Sequence, residues 1–158
     1  MKRTALFTLF FAILIQSASA ATATGYAGLA LAAVVAPYSP TVGWREKQWL
    51  EQLFDGRQNF VVPKGAKIAV AAASIVCKAG DVDITARSCA LTFGAKTVNI
   101  AGRRANELYA TMIEAGVPSD GAAGTIYEGL TELDCAIDPN AVKQNDGGGA
   151  SCAYTAGP

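Results

Sequence analysis

Four side chains in this sequence can form covalent cross-links: Cys77, Cys89, Cys135 and Cys152. An even set of cysteines reads as a disulfide framework in a small exported chain and as a metal or redox site in a cytosolic one. Structural zinc is held by cysteine and histidine at short spacings such as CxxC. No CxxC occurs, and the 158 residues contain no histidine. The set therefore reads as two disulfides, and no metal site is expected. Of the three pairings that four cysteines allow, Cys77–Cys89 with Cys135–Cys152 is favoured. Each closes a short loop between segments that can lie as neighbouring strands. A bridge of that loop size stabilises a domain by about 3 kcal/mol.

The missing histidine also removes every Ser-His, Cys-His and His-metal mechanism. A Ser/Lys dyad needs Ser-x-x-Lys, whereas Ser74 and Lys78 lie four apart on an expected strand. Gly94-Ala95-Lys96-Thr97 shares residues with the end of a phosphate-binding loop but lacks its Gly-Lys-Ser/Thr order, so it reads as a turn. Asp81-Val82-Asp83 opens like a calcium loop without the later ligand and glycine. Glu132 and Asp134 fall on one strand face, with Asp138 further along. Paired carboxylates cleave glycosides when one has a raised pKa, which needs a cleft. An open strand face leaves them solvated. No catalytic residue and no cofactor is expected.

Arg103 and Arg104 open the most regular helix pattern, where the helix dipole favours acids over bases. Two guanidinium groups beside free helix N–H donors make an anion site, for a carboxylate, a phosphate or an acidic loop. The structural alternative pairs Arg103 with Glu107 one turn on and lays Arg104 over a sheet edge.

The elements that position these groups follow an expected leader. Lys2 and Arg3 precede an apolar run from Ala5 to Ile15, and Ala18-Ser19-Ala20 has small residues where a signal peptidase reads. Residues 1–20 are thus expected to be a signal peptide. The mature chain would start at Ala21, in the periplasm or secreted, with no membrane span after cleavage. The sequence is 51% hydrophobic and 16% charged, which excludes a disordered chain. Apart from Lys2 and Arg3, acids outnumber bases by two, which argues against a nucleic-acid or anionic-membrane binder.

Residues 21–158 read as one disulfide-stabilised α+β domain: an antiparallel sheet with one main helix, plus an N-terminal helical hairpin. Residues 21–56 read as helical. Gly28 to Ala36 is an Ala, Leu and Val run stopped by Pro37, and Gly43 to Phe54 places Trp49, Leu50, Leu53 and Phe54 at helical spacing as core. Sheet and helix occupy 57–158. An antiparallel meander is expected over residues 59–100, its unusually small Ala71 to Ala73 section marking a place where something bulky packs. The main helix follows Gly102, with Ala105, Leu108, Tyr109, Met112 and Ile113 on one face. Residues 122–130 read as a short helix weakened by glycine. Leu133, Cys135 and Ile137 alternate inward along a strand, and a last strand runs near Ser151 to Thr155. No internal repeat is evident along the sequence.

In outline this plan resembles small secreted protease inhibitors. Cys135-Ala136-Ile137-Asp138-Pro139 resembles a stretch of the subtilisin inhibitors, although the cysteine spacings depart from theirs. The resemblance implies a rigid binding protein. The function expected is a small exported, non-enzymatic binding module that inhibits, or adapts to, a protein or envelope component. Arg103/Arg104 and the loop from Ala141 to Gly149 are its candidate contacts. The alternatives are a structural, self-assembling envelope protein whose Gly28 to Ala36 run packs on another subunit, and a hydrolase using Glu132, Asp134 or Asp138.

Overall fold

A computed structural model describes residues 20–57, 60–78, 87–117, 126–130, 132–142 and 147–156. The expected leader up to residue 19, the Asp81-Val82-Asp83 motif and residues 143–146 of the candidate loop lie outside them. The fold is α+β. In chain order the elements are β1 (Ala20–Thr24), α1 (Gly25–Val35), α2 (Trp44–Phe54), β2 (Ile68–Val70), β3 (Ser74–Lys78), β4 (Ser88–Phe93), β5 (Lys96–Ala101), α3 (Arg103–Glu114), β6 (Ile126–Leu130), β7 (Glu132–Ile137) and β8 (Ala150–Thr155).

The strands form two four-stranded antiparallel sheets, ordered β1-β8-β7-β2 and β5-β4-β3-β6. They share a bent ribbon. Strand β2 pairs with β7 through Ile68↔Ile137 and Val70↔Cys135. Beyond a break, β3 resumes the same register on β6 at Ile75↔Leu130. The break falls at Ala71 to Ala73, where small side chains let the chain turn from one sheet to the other. There the Ala71 N–H donates to Thr41 Oγ1 at 3.2 Å, and the Ala73 N–H to the Leu133 carbonyl at 3.0 Å.

Two expectations are corrected. The stretch read as helical from residue 21 begins as strand β1, because Ala20–Thr24 alternates and pairs in unbroken register with β8. Within residues 122–130, Ile126–Leu130 is strand β6: Tyr127↔Cys77 and Leu130↔Ile75 hold it on the ladder, and Gly129 weakens the competing helix. Both disulfides pair as expected. Cys77 faces Cys89 across β3 and β4, and Cys135 faces Cys152 across β7 and β8.

The two sheets follow one plan in permuted order. In the first unit β3, β4 and β5 form a meander, α3 crosses back, and β6 pairs beside β3. In the second, β7, β8 and β1 form the meander, α1 crosses back, and β2 pairs beside β7. The chain ends fall between β8 and β1, so the second unit is drawn from both ends of the sequence. Ser-Cys-Ala-x-Thr occurs at Ser88–Thr92 and again at Ser151–Thr155. Cys89 pairs with Ile100 and Cys152 with Ala23, each two residues before a glycine at φ 63°, Gly102 or Gly25. Three residues past each glycine the helix meets its disulfide: Cys89 Sγ lies 3.7 Å from the Ala105 carbonyl oxygen and Cys152 Sγ 3.1 Å from that of Gly28. Leu108 and Met112 in α3 match Leu31 and Val35 in α1, all at most 1% exposed.

Helices α1 and α3 pack on each other, each over its own sheet. Apolar on every side, α1 also touches α2 and is the most enclosed element. Most of the run from Gly28 to Ala36 is buried in the protein's own core, while Ala33 and Val34 line a groove. Its approach to the sheet is set by Gly28, where a β-carbon would sit 3.0 Å from the Ala23 carbonyl oxygen and 3.4 Å from that of Ala150. Tyr154 of β8 bridges the units, its hydroxyl donating to the Ala115 carbonyl at the end of α3 at 3.1 Å. Burial raises the Tyr154 phenol above its usual range.

Two outcomes follow. Gly28→Val forces backbone apart in the most enclosed layer and should cost at least about 2 kcal/mol, read by denaturant unfolding; an unchanged midpoint would contradict the packing described. An unfolded phenol ionises near pH 10 and the folded Tyr154 only above it. Its contribution is therefore intact below that pH and is lost as pH rises through it. Tyr154→Phe should flatten that alkaline loss and cost about 1 kcal/mol at neutral pH. Thermal unfolding from neutral to alkaline pH checks both, and an identical slope in the variant would refute the assignment.

Candidate functional site

Among the described residues one helix, α2, has no counterpart in the paired plan. Between α3 and β6 the first unit has a short connection, whereas between α1 and β2 the second inserts α2 and the segments around it. Little of α2 is needed by the core. Leu50 alone is fully buried, with Trp49 and Leu53 packed partly against it. Its start is held by Gly43, over which the Glu46 carboxylate folds so closely that a β-carbon there would collide. A carboxylate at that position is favoured by the helix dipole. Lys47 Nζ ties α2 to the end of α1 through the Pro37 carbonyl at 3.0 Å, and Phe54 stacks on Tyr26 at 5.8 Å between ring centroids. Trp44 stands 66% exposed with the Arg45 guanidinium 5.4 Å from its ring centre.

Two grooves border α2, one along its length and one at its first turn. The first, of about 450 Å³, lies between the end of α1, α2 and the start of α3. Val34, Pro37, Tyr38 and Phe54 form apolar wall, while Lys47 and Glu51 from α2 face Arg104 and Glu107 from α3. The second, of about 400 Å³, lies between the Thr41 to Gly43 loop with Glu46 and the outer edge of β2, with Lys67 and Asp134 also lining it.

The arginine pair is divided by this geometry. Arg104 lines the first groove; Arg103 is exposed on the helix outside it. Among the described residues neither forms an ion pair, including the anticipated Arg103–Glu107 contact, and the one ion pair present joins Arg57 to Asp55 at 3.3 Å. Two carboxylates beside two cations make the first groove zwitterionic. The strand carboxylates stand as a solvated face: Glu132 and Asp134 are exposed on β7, and Asp138 caps its own turn by accepting the Asn140 N–H at 3.1 Å. Ser74 and Lys78 lie at opposite ends of β3. Among the described residues no group of three metal-ligating side chains occurs, and no helix is long and apolar enough to cross a membrane.

Sequence reasoning assigned Trp49 and Phe54 to the core. Phe54 instead forms groove wall, and Trp44, Glu46 and Ala69 drew no attention. The available signal was composition: α2 carries two tryptophans and a phenylalanine on a short helix with room to bury only part of them. No protein-family model, curated protein or solved structure matches this chain.

The arginine hypothesis has a direct check. Arg103→Gln/Arg104→Gln should leave unfolding within about 0.5 kcal/mol of the parent, since both are surface groups without ion pairs. Binding of an anionic probe such as inorganic phosphate should drop if the pair serves as an anion site. Unchanged probe binding in a folded variant would end that idea.

Proposed function

We propose that this protein is a small exported, non-enzymatic binding module that engages a protein or envelope component through the face built by α2. The observation that carries the reading is the mismatch between the two units. The fold repeats one plan twice, and among the described residues α2 is the helix without a counterpart in it. It buries one residue fully, yet it borders both grooves and presents Trp44 and Phe54. Material kept on a surface without serving the core is where binding is looked for first, and aromatic anchors dominate such contacts. Two disulfides suit an oxidising compartment, and they tie the inner strands of each sheet, β3 to β4 and β7 to β8, into a rigid scaffold. Rigid scaffolds lose less freedom on binding.

The test uses the mature chain, oxidised and immobilised, against native envelope and secreted fractions. A stoichiometric partner should be retained by the parent and weakened about tenfold or more in Trp44→Ala/Phe54→Ala, with the variant's unfolding midpoint measured in parallel. Retention unchanged in a folded variant would remove α2 from the contact. Retention of nothing by the parent would overturn the reading.

A further inference from the structure

The second groove has a backbone wall, and that decides what can fill it. Cys135 and Cys152 face each other with Cα atoms 4.0 Å apart, the close type of antiparallel pair that exchanges no hydrogen bonds. Cys135 must then turn its N–H and C=O toward β2, where Val70 is its partner. Backbone groups alternate along a strand, so Ile68 and Val70 bond β7 while Ala69 turns its N–H and C=O outward, into the groove. No described residue takes them. At the next outward position the Ala71 N–H is already satisfied by Thr41 Oγ1, which marks the end of the open edge.

An extended chain offers a donor and an acceptor at strand spacing to such an edge. The groove's charge narrows the choice. Glu46 and Asp134 place two carboxylates on it against the single ammonium of Lys67, and none of the three is in an ion pair among the described residues. We infer that the groove between the Thr41 to Gly43 loop and the edge of β2 takes an extended peptide segment bearing a basic side chain, which adds as a strand to Ala69 and sets its cation between Glu46 and Asp134. This deepens the binding-module reading and rests on it.

The edge is short, so the backbone contributes few hydrogen bonds and the charges carry selectivity. The arrangement suits a loop or tail presented by a folded partner better than a free peptide, whose ordering cost is larger. The geometry also supplies a clean variant. Proline is tolerated on an edge strand where the lost N–H faces outward, so Ala69→Pro deletes the docking donor without touching the β7 ladder.

The probe is the capped peptide Thr-Val-Lys-Val-Thr, titrated into the isotope-labelled oxidised protein at low salt and followed by amide chemical shifts. Shifts should centre on Ala69, Glu46 and Asp134. Glu46→Gln/Asp134→Asn should weaken binding about five- to tenfold, Ala69→Pro should abolish it, and Ala69→Val should retain it. A peptide with glutamate in place of lysine should not bind. Equal binding by Ala69→Pro, equal binding of the glutamate peptide, or shifts confined to the Arg104 groove would each overturn the inference. A captured native partner separates this proposal from the broader one. A partner held equally by the parent and by Ala69→Pro removes the strand-addition mode and leaves the binding module standing. A parent that retains no partner and shows no shifts removes both.

Discussion

Helix α1 has no polar face, and a helix of that kind persists in water only where every side of it is covered. In this protein β8, β1, β7, α2 and α3 all lie against it. The closest of those contacts is backbone against backbone, at Gly28, with the Cys152 sulfur 3.1 Å from the Gly28 carbonyl oxygen. The Cys135–Cys152 bridge fixes β8 to β7, and the position of β8 in turn fixes where α1 can sit. The strand that leads into α1 is the N-terminal β1, and the strand it pairs with is the C-terminal β8. The core thus closes only when β1 and β8, far apart in the sequence, meet.

That closure completes the second of two matching units, and the match explains what each part is for. Residues common to both units serve the fold: the paired cysteines, the glycines that open α1 and α3, and the apolar pairs Leu31 with Val35 and Leu108 with Met112 further along those helices. Helix α2 is extra. It contributes Leu50 and parts of Trp49 and Leu53 to the core, while Lys47, Glu51 and Phe54 line a zwitterionic and apolar groove and Glu46 lines one edged by open backbone and carboxylates. On β7, Glu132 and Asp134 are exposed on one face, and Asp134 lines the second groove.

Much of the fold was legible. Alternation along Glu132–Ile137 and the 3.6-residue pattern of Arg103–Glu114 each survive because one face of the element is buried and the other is not. The disulfides were legible because short loops between strand-forming segments favour neighbouring strands. Three features were hidden. Strand β1 is too short and too rich in alanine for its own sequence to declare it; β8 makes it a strand. In β6 the ladder with β3 overrides an ambiguous local preference. The repeat escaped notice because it is permuted: Ser-Cys-Ala-x-Thr recurs, but its second copy is followed by the end of the chain, and the helix that should follow it stands at the beginning. The candidate site was legible only in part. Arg104 lines a groove, but nothing in a linear pattern shows that Ala69 faces outward or that Glu46 and Asp134 share a groove with it.

The claim on which the rest stands is that β8 and β1 act as neighbouring strands of one unit, in the roles that β4 and β5 have in the other. A circular permutant tests it. Ala156 is joined to Ala20 through Gly-Ala-Lys, copying the Gly94-Ala95-Lys96 turn of the other unit, and new ends are opened between Gly94 and Ala95. The account predicts a cooperatively folded protein with Cys77–Cys89 and Cys135–Cys152 intact, losing no more than about 2 kcal/mol by denaturant unfolding. A permutant that fails to fold, or that folds with its cysteines paired otherwise, would contradict it.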